Sequence, residues 1–308
     1  MIRMEKISSK KRQKDWKNIV ETYIFFAVIL VVPLLQFVVF YIGANANSVI
    51  MSFQRYENGT YVANGLNNYV ELFERFGRDV KVQSSVINSF WQWLFAVGIS
   101  LPLSILVSYY IFLRIPGSEF FKVLLMLPQI ITNIVFVCIF RTLFENGLVE
   151  LFGWSPIVMR VAPTQFWILL VYSTFFGLAT NMVLYLGAMS GVNQSTIEAA
   201  QIDGVGVLGR LWHVILPAIW PTVTVFIMAG FAGYFTNQGA TFSFFGTGTQ
   251  AKDESYTFGY WLFVLVNGTK SEAEYPLAST AGVVFTIIAV PVTLLSKRLL
   301  EKFGPRED

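Results

Sequence analysis

"EAAQIDGVGVLGRLWHVILP", residues 198–217, carries the glycine spacing Gly204-x-Gly206-x-x-Gly209. Such spacing lets a backbone approach a dinucleotide pyrophosphate, but there it follows a strand, opens a helix and precedes an acidic residue roughly 20 positions on. Here the glycines follow STIEAAQID (195–203), which reads as a helix. Ser195 is a candidate N-cap with Glu198 three residues later, the capping-box spacing. Ala199, Ala200 and Gln201 are good helix formers, and Gly204 suits the left-handed residue that stops a helix. No acidic residue lies between Gly209 and Asp253. The stretch is a short helix, a glycine turn and a rise into the next apolar run, and the nucleotide reading fails.

The surroundings are apolar. Of 308 residues, 55% are hydrophobic and 13% charged, against about 25% charged in a soluble domain. One soluble core cannot hide that surface, so an all-α membrane protein is expected. The net charge of +3 is too small to argue for nucleic acid. A lone Cys138, in an apolar run, cannot form an internal disulfide and reads as a packing residue; a lone His213 cannot anchor a metal cluster. No catalytic and no metal site is expected.

Charge-free stretches mark the crossings. A membrane helix needs roughly 20 mostly apolar residues, and six spans follow, at about 23–43, 86–112, 121–141, 164–188, 215–236 and 278–296. The run TFGYWLFVLV (257–266) is too short to cross and reads as interfacial or re-entrant. Lys and Arg crowd the first 22 residues, the 114–122 link (Arg114, Lys122) and the tail (Lys297, Arg298, Lys302, Arg306). By the positive-inside bias these are cytoplasmic, as are both termini. The chain then divides into a basic cytoplasmic segment (1–22), a transmembrane domain (23–298) holding a cytoplasmic loop at 189–215, and a cytoplasmic tail (299–308). The first apolar run, about 20 residues, exceeds the 7–15 of a signal peptide and reads as an uncleaved helix. Pro33, Pro102, Pro128 and Pro291 fall inside spans and are expected to kink them. Trp16, Tyr23, Trp91, Trp93 and Trp154 read as interfacial anchors.

Glu198-Ala199-Ala200, Asp203-Gly204, then Val214 and Leu216-Pro217, form a pattern that resembles the coupling-loop signature of membrane subunits of ABC importers. Val214 and Val205 depart mildly from it, standing where Ile and Ala are usual. Gly65-Leu66-Asn67-Asn68-Tyr69, Asn88, Leu127-Pro128 and Tyr275-Pro276-Leu277-Ala278-Ser279 also match, and they resemble the carbohydrate-uptake branch, within it the maltose-type first permease. The resemblance implies a type I importer permease fold in the bacterial cytoplasmic membrane. It further implies a second permease subunit, an ATPase dimer, an extracytoplasmic substrate-binding protein and a sugar substrate, besides the surrounding lipid. No cofactor would be bound by this chain: ATP and Mg belong to the ATPase, and the sequence holds no phosphate-loop motif.

The resemblance also implies site residues. Glu198, Ala199, Ala200, Asp203 and Gly204 would dock the ATPase, the alanines by close approach, Gly204 by its turn, the acids by polar contact. Substrate contacts would come from the spans flanking the loop, at Phe175, Phe176, Gly177, Thr180, Gly230, Gly233, Tyr234 and Asn237. Several of these side chains are smaller than or different from the relative's, which argues against maltose itself and for a roomier site. The glycines have a plainer alternative in helix packing. Another imported solute, such as a polyol, glycerol phosphate or peptide, is the alternative substrate. An ion-coupled secondary transporter would want ionisable groups inside its spans, and these have none except Lys122 and Arg141 at the very ends of the third.

Overall fold

The computed structural model describes residues 2–153, 162–246, 251–268 and 271–305. Five helices within them are long and apolar enough to cross a membrane: Ile19–Ser52, Val80–Phe112, Thr164–Ser190, Val207–Phe245 and Glu272–Phe303. The third crossing differs from the unbroken 121–141 helix expected from hydropathy. It is a pair, Ser118–Ile130 and Asn133–Phe152, bent by 105°. Ile131 and Thr132 between them are extended, with ψ near 138° and 141°. The run Ile130-Ile131-Thr132 is β-branched and stiff, and Pro128 has already removed one donor from the preceding turn. Hydropathy registers none of this, because the break is itself apolar.

The second span carries a buried polar row. Ser85, Asn88, Ser89, Gln92, Ser100, Ser104 and Ser108 are buried beside the apolar Val82, Ile105, Tyr109 and Ile111, while Ile87, Phe90, Leu94, Ile99, Leu103 and Leu106 face outward. In lipid no hydrophobic force gathers helices, so close packing of small residues and interhelical hydrogen bonds do it. Ser100 Oγ lies 2.8 Å from Thr174 Oγ1, and Ser108 Oγ donates to the Met182 carbonyl at 3.1 Å, both fastening the fourth span. Trp93 departs from the anchor role expected of it. Its Nε1 donates to the Ile227 carbonyl at 3.2 Å and its ring meets Phe231 edge-on at 5.2 Å, so it joins the second span to the fifth. Trp16, Tyr23 and Trp91 are exposed; Trp154 lies outside the described residues.

Hydrogen bonds fix the two ends of the bundle. At one end Tyr109 Oη donates to the Val207 carbonyl at 2.8 Å, and Trp220 Nε1 to the Leu300 carbonyl at 2.9 Å. That end gathers the close of the second span, the start of the fifth and the end of the last. At the other, Asn88 Nδ2 donates to the carbonyls of Glu254 (2.7 Å) and Tyr256 (3.0 Å), and Ser89 Oγ accepts from the Phe258 amide at 2.9 Å. These bonds seat the helix Phe258–Asn267, the ten-residue segment that is too short to cross. A hairpin also caps this end: β1 (Gln54–Glu57) pairs antiparallel with β2 (Thr60–Ala63) in the register Gln54↔Ala63 to Glu57↔Thr60. Its turn residues Asn58 and Gly59 both have positive φ, 49° and 86°, as a twist-matched two-residue turn requires.

Asn88→Ala would leave one part-buried and one buried carbonyl, those of Glu254 and Tyr256, without their donor. The expected cost is about 1–3 kcal/mol, read as a lower thermal midpoint of the detergent-solubilised protein.

Candidate functional site

The 198–217 stretch forms the helix Gln194–Ile202 at the end where Tyr109 meets Val207. The capping is not the Ser195–Glu198 box expected from spacing. Asn193 is the N-cap: its backbone is extended (ψ 120°) and its Oδ1 accepts from the Ser195 amide at 3.1 Å and the Ser195 hydroxyl at 2.9 Å. Glu198 instead accepts from Gln194 Nε2 at 3.1 Å. Asn193, two residues upstream, takes the extended cap conformation and its amide oxygen reaches forward to the first turn, so Ser195 lies inside the helix. Asn193→Ala is expected to cost about 1 kcal/mol of local stability and Ser195→Ala much less, measured by hydrogen exchange of amides 195–202.

The helix ends in a paired closure. The Val205 amide bonds the Ala200 carbonyl at 3.0 Å, the Gly204 amide bonds the Gln201 carbonyl at 3.1 Å, and Gly204 sits at φ +78°. This double bond pattern satisfies two of the carbonyls that a helix end leaves bare, and it needs the left-handed residue. On the inner side Ile197 is buried with Tyr109, Met189, Leu211 and Ile215, so the helix is rooted in the core. On the outer side Glu198, Ala199, Asp203 and Gly204 are exposed and Ala200 is half-buried. Ile202 is 86% exposed and Leu208 65%, two large apolar side chains presented to whatever meets this surface. Sequence reasoning passed over both, although an apolar residue in a polar turn is a signal in itself. His213 Nδ1 lies 2.9 Å from the Gly209 carbonyl, a local contact beside the turn.

Deeper in the bundle a cavity of about 560 Å³ lies between the fourth and fifth spans. Ser173, Phe176 and Gly177 line it from one helix, and Gly230, Gly233, Tyr234 and Asn237 from the other. Each set is spaced as i, i+3, i+4, with i+7 added on the fifth span, which places it on one helical face. Of the eight sequence-derived path residues, six line this cavity; Phe175 and Thr180 do not. Phe175 falls one residue off the face and stacks on Phe136 at 6.1 Å. Thr180 lies a turn further along, where its hydroxyl accepts from Gln129 Nε2.

The break in the third crossing supplies the far wall. Asn133, the first residue after it, donates from Nδ2 to Ser243 Oγ at 2.9 Å and accepts from Tyr172 Oη, and all three side chains border the cavity. Irregular backbone at membrane depth is tolerated where it lines such a space. Asn237 Oδ1 caps the following turn by accepting from the Gly239 amide at 2.9 Å. Gln92 enters from the second span. Gln92, Asn133, Tyr172 and Ser243 were not among the expected residues, though the two amides are among the few in their charge-free runs. No charged side chain is among the lining residues. The glycines do not serve close packing within this chain: a Cβ on Gly233 would meet nothing within 4 Å, and one on Gly230 nothing nearer than 3.8 Å. They leave space. Gly230 and Tyr234 also border a smaller cavity of about 160 Å³ with Ser100, Asn181 and Tyr185, nearer the Gln194–Ile202 end. A larger groove of about 1210 Å³ runs between the first and last spans; its lining is mostly apolar, with Val290 and Leu294 exposed and Asn45, Ser48, Thr286 and Thr293 among its polar groups. Cys138, expected to be a packing residue, is exposed on the outside of its helix within this chain.

Comparison with known proteins agrees with this architecture. The family model of the binding-protein-dependent transport system inner membrane component matches residues 84–308. The arabinooligosaccharides transport system permease protein AraP of Bacillus subtilis is 24% identical over 96% of this chain and 95% of its own length. The multiple sugar-binding transport system permease protein MsmF of Streptococcus mutans is 26% identical over 89% and 94%. The maltose/maltodextrin transport system permease protein MalF of Vibrio cholerae is 26% identical over 80% of this chain, which spans about half, 49%, of that longer protein. Among solved structures, a bacterial ABC transporter involved in the import of the acidic polysaccharide alginate superposes with a TM-score of 0.71 at 17% identity, over 94% of this chain and 99% of that one. At such identity the likeness shows the fold.

Proposed function

Because the chain belongs to the family of binding-protein-dependent transport system inner membrane components, a family of multi-pass inner-membrane permeases, we propose that it forms half of the path of an ATP-driven importer for a sugar or oligosaccharide. The observation that carries this reading is the cavity between the fourth and fifth spans. It is lined by amides, hydroxyls and aromatic rings and by no charged group. Sugar hydroxyls need hydrogen-bond partners once they leave water, and the C–H faces of sugar rings pack on aromatic planes.

The helix Gln194–Ile202 is the contact through which a separate ATP-hydrolysing dimer drives the cycle. ATP and Mg stay on that dimer. Glu198, Ala199, Ala200, Asp203 and Gly204 form its outward surface, with Ile202 and Leu208 beside them. Ile197 and the Tyr109–Val207 bond root it to the second and fifth spans, two of the walls of the cavity. A push on this helix therefore reaches the substrate space through packed contacts. Both termini and this helix face the cytoplasm, a second six-span permease supplies the other half of the path, and an external binding protein delivers the sugar to the hairpin end.

The test is gentle-detergent purification of the tagged chain from its native host, mass spectrometry of what accompanies it, and sugar uptake with and without ATP depletion. An ATPase and a second permease in the eluate, with ATP-dependent uptake, are expected. A chain that purifies alone and transports without ATP would overturn the proposal.

A further inference from the structure

The inner face of the second span is a row of polar side chains, and their hydrogen bonds can be followed one by one. Ser85 Oγ donates to the Val82 carbonyl at 2.8 Å, and Asn88 and Ser89 hold the 254–258 segment. Ser100 meets Thr174, Ser104 donates to the Ser100 carbonyl at 2.7 Å, and Ser108 to those of Ser104 and Met182. Gln92 stands in the middle of this row, only 8% exposed, yet its amide has no hydrogen-bond partner among the described residues. It borders the 560 Å³ cavity. Its amide atoms keep access to that space, so their hydrogen-bond partners come from whatever fills it, water or solute.

We infer that Gln92 is a substrate-contacting residue that reads the hydroxyls of an uncharged sugar unit, so that the importer takes neutral oligosaccharides and rejects those built of uronic acids. The inference rests on the sugar-importer reading above and narrows it. The free amide offers one acceptor and two donors, which suits vicinal hydroxyls. Across the cavity, Asn133 is already engaged with Tyr172 and Ser243, and Asn237 spends its carbonyl on Gly239. Gln92 is thus the buried amide with its full capacity left, Gln238 on the same cavity being only half-buried. Tyr172, Phe176 and Tyr234 supply aromatic surface around the same space. An ionised carboxylate entering here would give up its water and find no cation on this wall, and desolvating an unpaired charge is heavily penalised.

The experiment measures uptake of radiolabelled maltotriose, arabinotriose and a mannuronic acid trimer by the native host, its own gene replaced by wild type, Gln92→Leu or Gln92→Ser. Leucine keeps bulk without polarity. Serine extends the pattern of the row, in which hydroxyls bond carbonyls three or four residues back, so this variant folds by the same rule as its neighbours. Wild type is expected to import at least one neutral trisaccharide and no uronate trimer above background. Both variants should lose at least tenfold in rate at equal membrane abundance, with thermal midpoints unchanged or higher because no protein bond is lost. Undiminished uptake in both variants, a fall in midpoint that tracks the lost uptake, or uronate import by wild type at a neutral sugar's rate would overturn the inference. Import of no saccharide by wild type would instead overturn the sugar reading, and this inference with it.

Discussion

Ala200→Glu is expected to abolish sugar uptake, by a factor of a hundred or more, while the chain reaches the membrane in normal amount. Position 200 is half-buried on the short helix between the rooted Ile197 and the exposed Asp203. Its methyl group lets another surface come close to the backbone, and its carbonyl already accepts the Val205 amide that closes the helix. A glutamate keeps that closure and is a good helix former, so folding is spared. What it adds is a charged arm standing between the helix and its partner, and a charge trapped without a counterpart at an interface costs several kcal/mol. Uptake of a labelled sugar, beside immunoblots of membranes and of material co-purifying with the ATPase, checks it. Normal uptake would show that this surface docks nothing. Gln201→Ala, an exposed change on the same helix that removes no bond made by the backbone, serves as the control and should transport normally.

Gly233→Leu should be nearly as severe for the opposite reason: it improves the helix and fills the path. A Cβ at 233 meets nothing within 4 Å, so the new side chain starts into the open space that Gly233 borders. Replacing glycine inside a helix with a good helix former contributes about 0.8 kcal/mol. The thermal midpoint is expected to hold or rise while uptake falls at least tenfold, with co-purifying subunits unchanged. A variant that transported at the wild-type rate would remove the cavity from the route. The pairing of raised stability with lost transport separates this outcome from ordinary misfolding, which moves both the same way.

Much of the fold is legible in the sequence because the bilayer imposes one coarse rule, and the charge-free stretches obey it. The short 257–266 run and the spans around the glycine turn follow from length and charge alone. What hydropathy could not show is backbone direction. Ile130-Ile131-Thr132 is as apolar broken as helical, so the 105° bend is invisible to it. The N-cap went to Asn193 and not to Ser195 because two good capping residues stand two positions apart and the choice is settled by backbone geometry. Asn58-Gly59 between QRYE and TYVA was readable as a hairpin turn, but a reading organised by spans passes over it. For the cavity, helical spacing brought six of eight residues together, since residues on one face stay on one face. Gln92 and Asn133 come from other spans, and their convergence depends on how the helices pack.

The second span has one more consequence. Its inner row, Ser100, Ser104 and Ser108, touches the fourth span through hydroxyls and bare backbone, while Ile87, Leu94, Ile99, Leu103 and Leu106 look outward. Any ranking of substitutions by oiliness therefore grades this row backwards. A serine exchanged for leucine along that row would score as a better membrane segment and would act as a wedge, and the outward leucines could be traded among themselves with little notice. The helix keeps its grip through what its side chains leave out.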